Sequence, residues 1–168
     1  MCKSKIMAAK ATSPHSLAAL VKRSGFEKIT TLGSTRDADD DSADAFASLS
    51  ALARKQGWAA PVARGQFSAG QPRVGIFILP NNTAPGMLED LCWQAVADQP
   101  TAACVEQYLQ CLTDRALPLP TPLAKARAHV WLAAQPKPDM RLGEAAEKGY
   151  WPFTHPAFDA LKAFLSQL

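Results

Sequence analysis

Arg73-Val74-Gly75-Ile76-Phe77-Ile78-Leu79-Pro80 is the stretch on which the fold turns. It is apolar nearly throughout, and a proline closes it. A run without polar alternation predicts a strand buried on both faces, and hence a central place in a parallel sheet. The turn Pro80-Asn81-Asn82-Thr83-Ala84-Pro85-Gly86 follows at once.

Working outward, residues 28–35 read as a second strand. Residues 42–56 read as an amphipathic helix, with Ala43, Phe46, Leu49 and Leu52 or Ala53 on one face and Gly57 as its stop. Between that helix and the apolar strand lies a loop-rich stretch with a short extended piece near residues 62–67. Downstream, helices are expected over 87–97, 102–112 and 123–134, the last with Ala126, Val130 and Ala133 repeating. Pro118, Pro120 and Pro122 break the chain between the second and third of these. A polar loop precedes a final helix over 156–168, with Phe158, Leu161, Phe164, Leu165 and Leu168 on its buried side. Upstream, 14–24 reads as a helix ending at Gly25, and 1–13 as a flexible lead. Strand, helix, strand, then helices argues for a single α/β domain over 1–168. It has a small, mostly parallel sheet flanked by helices and a helical C-terminal part.

Composition bounds the function. The 168 residues are enough for one real core. No apolar run approaches the roughly 18 residues that cross a bilayer, and the first residues lack the apolar region of a secretory signal. A cytoplasmic protein without a membrane partner is expected. Cys2, Cys92, Cys104 and Cys111 form no C-x-x-C pair and fit reduced thiols buried as small hydrophobes. Net charge is +3, but residues 1–36 carry seven lysines and arginines against Glu27 alone. Such a segment can help to hold a polyanion, although a solvated lysine-rich lead is the commoner case. Phosphate-binding glycine loops, dinucleotide fingerprints, nucleophile elbows and zinc-protease motifs are all missing from the sequence. Tyr150, Trp151 and Phe153 read as core packing rather than as a stacking platform.

Two acidic clusters remain. Arg36-Asp37-Ala38-Asp39-Asp40-Asp41 joins the strand over 28–35 to the helix over 42–56. Alternation along a strand would aim Asp37 and Asp39 the same way, and a hard divalent cation is the usual answer to two such carboxylates. Acids before a helix also serve as caps, the expected role of Asp40 or Asp41. For Asp37 and Asp39 both readings stand. Glu89-Asp90 opens the helix after the apolar strand, where the helix dipole favours acids. In a parallel sheet the two acidic turns would share one rim, where open α/β sheets place their sites. Lys125 and Arg127 open a later helix; either could balance a phosphate, though solvated lysines are commoner.

The segments R-D-A-D-D-D (36–41), R-V-G-I-F-I-L-P-N-N-T-A-P-G-M-L-E-D-L-C (73–92), L-A-K-A-R-A-H-V-W-L-A (123–133) and G-Y-W-P-F-T-H-P-A-F-D-A-L-K-A-F-L (149–165) come in a characteristic order. From about Leu17 onward the chain resembles a bacterial family of unknown function with a TOPRIM-like, Rossmann-like fold. That family is similar to the nuclease domains of the overcoming-lysogenisation-defect group. The resemblance implies Mg²⁺ held by acidic residues and phosphodiester chemistry on nucleic acid. Asp37 and Asp39 would be the D-x-D pair. Glu89, with Asp90 as second choice, would be the additional acid, and Lys125 the balancing base. It also calls for a glutamate at the end of a first strand. Glu27 begins its own strand, about eight residues from the rim at about 3.3 Å each, and cannot serve. The strand bearing that glutamate is expected upstream of Met1. Two functions follow: a Mg²⁺-dependent, nuclease-like phosphoryl-transfer protein, impaired by the missing acid, or a non-catalytic interaction or regulatory module that keeps the fold. Oligomeric state is not legible in the sequence.

Overall fold

Strand β3, Arg73–Leu79, is buried from Val74 onward, as its apolar run demands. It pairs in parallel with β2, Ile29–Asp37, from Thr31 opposite Arg73 to Asp37 opposite Leu79. The structure, a computed structural model, describes residues 5–9, 21–22 and 24–168, the first five as backbone only. Those five form β1, Lys5–Ala9, which lies parallel to β2 on its other side, Lys5 opposite Ile29 and Ala9 opposite Ser34. The sheet order is β1-β2-β3.

Two expectations change here. A strand, β1, lies within the lead expected to be flexible. Lys-Ile-Met-Ala-Ala has no alternation to announce it; five residues take their form from the ladder that they join. The rest of that lead (1–4 and 10–13), and residues 14–20 and 23 of the helix expected over 14–24, lie outside the described residues. The central place belongs to β2 rather than β3.

The outer side of β3 is nevertheless satisfied. Ser68 N–H donates to the Val74 carbonyl (2.8 Å) and Gly65 N–H to that of Ile76 (2.7 Å). Val74 N–H donates to Ser68 Oγ (2.9 Å). Further along, Asn82 N–H donates to the Ile78 carbonyl (2.6 Å), while Ile78 N–H donates to Asn82 Oδ1 (2.8 Å). Phe67 makes an antiparallel bridge to Gly75. The extended piece expected near 62–67 is therefore an edge clasp, too short for a full strand.

The chain divides into two compact units, residues 1–87 with 160–168, and residues 88–159. In the first, the two faces of the sheet are packed in opposite ways. Helix α1, Ser42–Lys55, covers one face. Large strand residues Val74, Ile76 and Ile78 meet small helical ones, Ala45 and Ala53, around Leu49. Leu32 packs with Phe26, Leu52 and Trp58. The buried stripe of α1 thus runs through Ala45, Leu49 and Ala53, and Ala43, expected on it, is exposed. Bulky strand side chains leave room only for alanine opposite them.

On the other face each of β2 and β3 carries a glycine. Gly33 and Gly75 are register partners. A Cβ at Gly33 would stand 2.7 Å from Leu168 Cδ2, and one at Gly75 would run into the Phe67 ring. Phe67 stacks on Phe164 (centroids 4.9 Å apart), which also meets Phe77 at 5.5 Å. Phe164 belongs to the final helix, Asp159–Leu165. That helix is shorter than expected, since Pro156–Phe158 forms a separate 3-10 turn, and Leu165 is exposed rather than buried.

The second unit is helical. It holds α2 (Leu88–Val96), α3 (Pro100–Asp114), α4 (Leu123–Ala133) and a short α5 (Leu142–Glu147). Its core includes Leu91, Val96, Val105, Leu109 and Phe158. Trp131 stacks on Trp151 at 4.5 Å, so Trp151 packs in the core as expected. The Trp151 indole N–H donates to the Leu142 carbonyl (3.1 Å). The bulk of Trp131 decides which side of α4 is inside: Ala124, Ala128, Trp131 and Leu132 are buried, in place of the expected Ala126, Val130 and Ala133. Helix α5 arises within the expected polar loop. Glu144 reaches back to accept from Arg141 N–H (2.8 Å), and Ala145 is wholly buried. Among the described residues no helix is long and apolar enough to cross a membrane.

Candidate functional site

Because β2 and β3 are parallel, both end at one rim of the first unit. Asp37 is the last residue of β2 and is half-buried. Ala38 N–H still donates to the Leu79 carbonyl (3.0 Å). At Asp39 the backbone turns left-handed, with φ 52°. Its main chain is clasped by Gly86: Asp39 N–H donates to Gly86 O (2.9 Å) and Gly86 N–H donates to Asp39 O (2.7 Å). The strand alternation that would aim Asp37 and Asp39 alike therefore stops before Asp39, because a left-handed residue breaks the pleat.

Asp39 and Asp40 are exposed. Asp41 caps α1, its Oδ1 accepting from Ala43 N–H (2.6 Å) and Asp44 N–H (3.2 Å); this is the capping role expected of Asp40 or Asp41. Next to it, Ser42 Oγ donates to the Thr83 carbonyl (2.9 Å) and accepts from Arg64 Nη1 (2.7 Å). Arg36 Nη1 donates to Ser48 Oγ (2.9 Å). Asn81 Oδ1 holds the neighbouring turn by accepting from Thr83 N–H, Thr83 Oγ1 and Ala84 N–H (3.1, 3.0 and 2.8 Å). Ser42, Arg64 and Gly86 are the rim residues that sequence reading passed over. Arg64 sits in a patternless loop, and only the Pro85-Gly86 pair signalled a turn.

In the second unit, Glu89 and Asp90 lie in the first turn of α2 and are half-buried. Cys92, one helical turn on from Glu89, is buried. Its thiol is pushed up from 9.0 to about 12, first by burial and then by the Glu89 charge. Lys125 is exposed in the first turn of α4. Arg127 is engaged with Glu106 (2.6 and 3.2 Å) and lies over the Trp93 ring. Cys104 and Cys111 are exposed on α3, where burial was expected. Seven residues apart on one helix, about 10 Å, they are beyond the reach of a disulfide.

Among the described residues, no three of His, Cys, Asp and Glu gather as a group that could hold a metal ion. β1 ends at Ala9, and no acidic residue precedes Glu27 in the sequence. The acids present do not fit a complete phosphoryl-transfer metal centre, which clamps the attacking and leaving oxygens between cations held by several carboxylates.

The chain belongs to the family described as "Protein of unknown function (DUF3226)", which matches residues 5–168. No curated protein and no solved structure matches it.

Proposed function

We propose that this member of a family without an assigned activity is a non-catalytic interaction or regulatory module on a TOPRIM-like fold. One observation carries the reading. β1, the direct neighbour of β2, carries no acid among its five residues, and it ends at Ala9, opposite Ser34 and three positions before Asp37. The acidic turn that remains serves as a corner. Asp39 is clasped by Gly86 through its main chain, and Asp41 caps α1.

The test is calorimetric titration of the full chain with Mg²⁺ and with Mn²⁺, beside Asp37→Ala/Asp39→Ala. The expected result is the same unsaturable heat from both proteins, and no cleavage of plasmid or single-stranded DNA. Saturable binding that the double variant loses, together with cleavage, overturns the reading.

A second reading has its own support. Asp37 stands at the carboxyl end of a parallel strand, beside the start of α1, where open α/β sheets keep their sites. Under it, Asp37 and Asp39 hold Mg²⁺ for nuclease-like chemistry on nucleic acid. Metal binding without cleavage would mark a site kept after its chemistry was lost.

A further inference from the structure

We infer that the cleft at the amino end of the β2–β3 sheet is a docking site for the acidic turn of a second copy of this chain. The inference rests on the interaction reading above and names its partner. The cleft holds about 440 Å³ and is walled by residues 26–30 with Gln71 and Pro72. It lies where β2 and β3 begin, at the end of the sheet opposite to the rim. Lys28, on its wall, is exposed, and so is Arg73 at the start of β3. Helix α1 starts at the rim and runs back over the sheet, so Arg54 and Lys55 in its last turn come to this same end, also exposed.

Charge in this unit is sorted by end. Of the acidic residues in 1–87, Glu27 alone lies outside 37–44. Asp39, Asp40, Asp41 and Asp44 are exposed. The helix dipole accounts for Asp41 and Asp44 at the start of α1 and for Arg54 and Lys55 at its end. It does not account for Asp39 and Asp40, which precede the helix, or for Lys28 and Arg73, which stand where strands begin. Among the described residues, none of Lys28, Arg54 and Lys55 is ion-paired. The two charged ends cannot answer each other within one copy. The nine residues of β2, at about 3.3 Å each, keep them roughly 30 Å apart. Between copies they are complementary. A polyanion would answer the basic end alone, whereas a second copy answers both. The turn is also pre-formed, because Gly86 clasps Asp39 at 2.9 and 2.7 Å, so little conformational entropy remains to be lost on docking. Glu27 lines the cleft as well, but the cations around it outnumber it. Each copy contributes a different surface, so the contact is heterologous and leaves a free end on either side for further copies.

Sedimentation of the full chain in metal-free buffer tests this. At about 0.01 M salt, where charges act over about 30 Å, the mass should rise with protein concentration. At about 1 M salt, where they act over about 3 Å, only the monomer should remain. Lys28→Glu/Arg54→Glu/Lys55→Glu and, separately, Asp39→Lys/Asp40→Lys should each weaken association at least about tenfold, because like charges then meet. Mixing the two reversed proteins should restore it, since the first keeps its acidic turn and the second its basic cleft. A parent that stays monomeric, association that survives either reversal, or a mixture that stays apart overturns the inference. Single-stranded DNA bound through Lys28, Arg54 and Lys55 by a monomeric parent would give the cleft to a polyanion instead, and is equally fatal. If the Asp39→Lys/Asp40→Lys protein melts early, Asp39→Asn/Asp40→Asn takes its place, and undiminished association again overturns the inference. Metal titration and DNA cleavage read the chemistry of the rim, while sedimentation without metal reads its docking, so either proposal can fail alone.

Discussion

The acidic turn at 37–41 and the acidic helix start at Glu89-Asp90 both lead into a helix, but their carboxylates act on different things. In the first, Asp41 acts on backbone N–H groups that α1 leaves unpaired, and Asp39 contributes a left-handed turn held by its main chain. In the second, Glu89 lies inside the first turn of α2, and its charge falls on the thiol of Cys92. Acids before a helix shape the chain, whereas acids within its first turn act on the next turn's side chains. Neither role requires a metal.

The largest test of this contrast is alkaline. Folded Cys92 holds its proton up to about 12, whereas the unfolded thiol releases it near 9.0. Above 9.0 the unfolded chain binds fewer protons than the folded one. Stability from this group is thus complete below 9.0 and falls as pH rises towards 12, by at most roughly 1.4 kcal/mol per pH unit. Urea midpoints followed through that window should drop steeply in the parent and less in Cys92→Ala. Glu89→Gln should flatten the slope only slightly, since burial is the larger cause. A Glu89→Gln slope as flat as that of Cys92→Ala would reverse the order of the two causes.

Next in size is the cap. Asp41→Ala should cost about 1 kcal/mol and Asp41→Asn much less, because an amide oxygen can still accept from the helix N–H groups. Equal losses would assign Asp41 a charge-dependent role and weaken the corner reading. Smallest is Asp39→Gly. Relieving a left-handed aspartate should stabilise by at most about 1 kcal/mol, offset by the greater freedom of unfolded glycine. A clear loss in chemical denaturation would mean that the Asp39 side chain, and not only its backbone, holds the turn.

Where the pattern was local, the sequence was readable. β3 follows from its apolar run, and α1 from its periodicity and the Gly57 stop. Strand β2 ran further than its pattern, because Arg36 and Asp37 look like loop residues and only pairing with Ile78 and Leu79 keeps them extended. On α1 one expected position, Ala43, gave way to Ala45, and on α4 the buried face was turned, for a related reason. Which side of a helix is inside depends on the bulk of what it meets, Ile76 and Ile78 for α1, and on its own largest residue, Trp131, for α4. At the rim, the acids were visible in the sequence but the left-handed turn at Asp39 was not, since Gly86, forty-seven positions on, is what closes it. β1 was the hardest to see: five residues without alternation have no signature until a neighbour supplies the ladder.

The clasp along β3 bears on how this protein can associate. A bare outer strand offers its unpaired backbone to any other chain, the usual route to strand exchange and fibre growth. Here a visiting strand would first have to displace Gly65, Ser68 and Asn82 from Val74, Ile76 and Ile78. Sheet extension from that side is closed, so a partner meeting the molecule there must recognise side chains instead of joining the backbone.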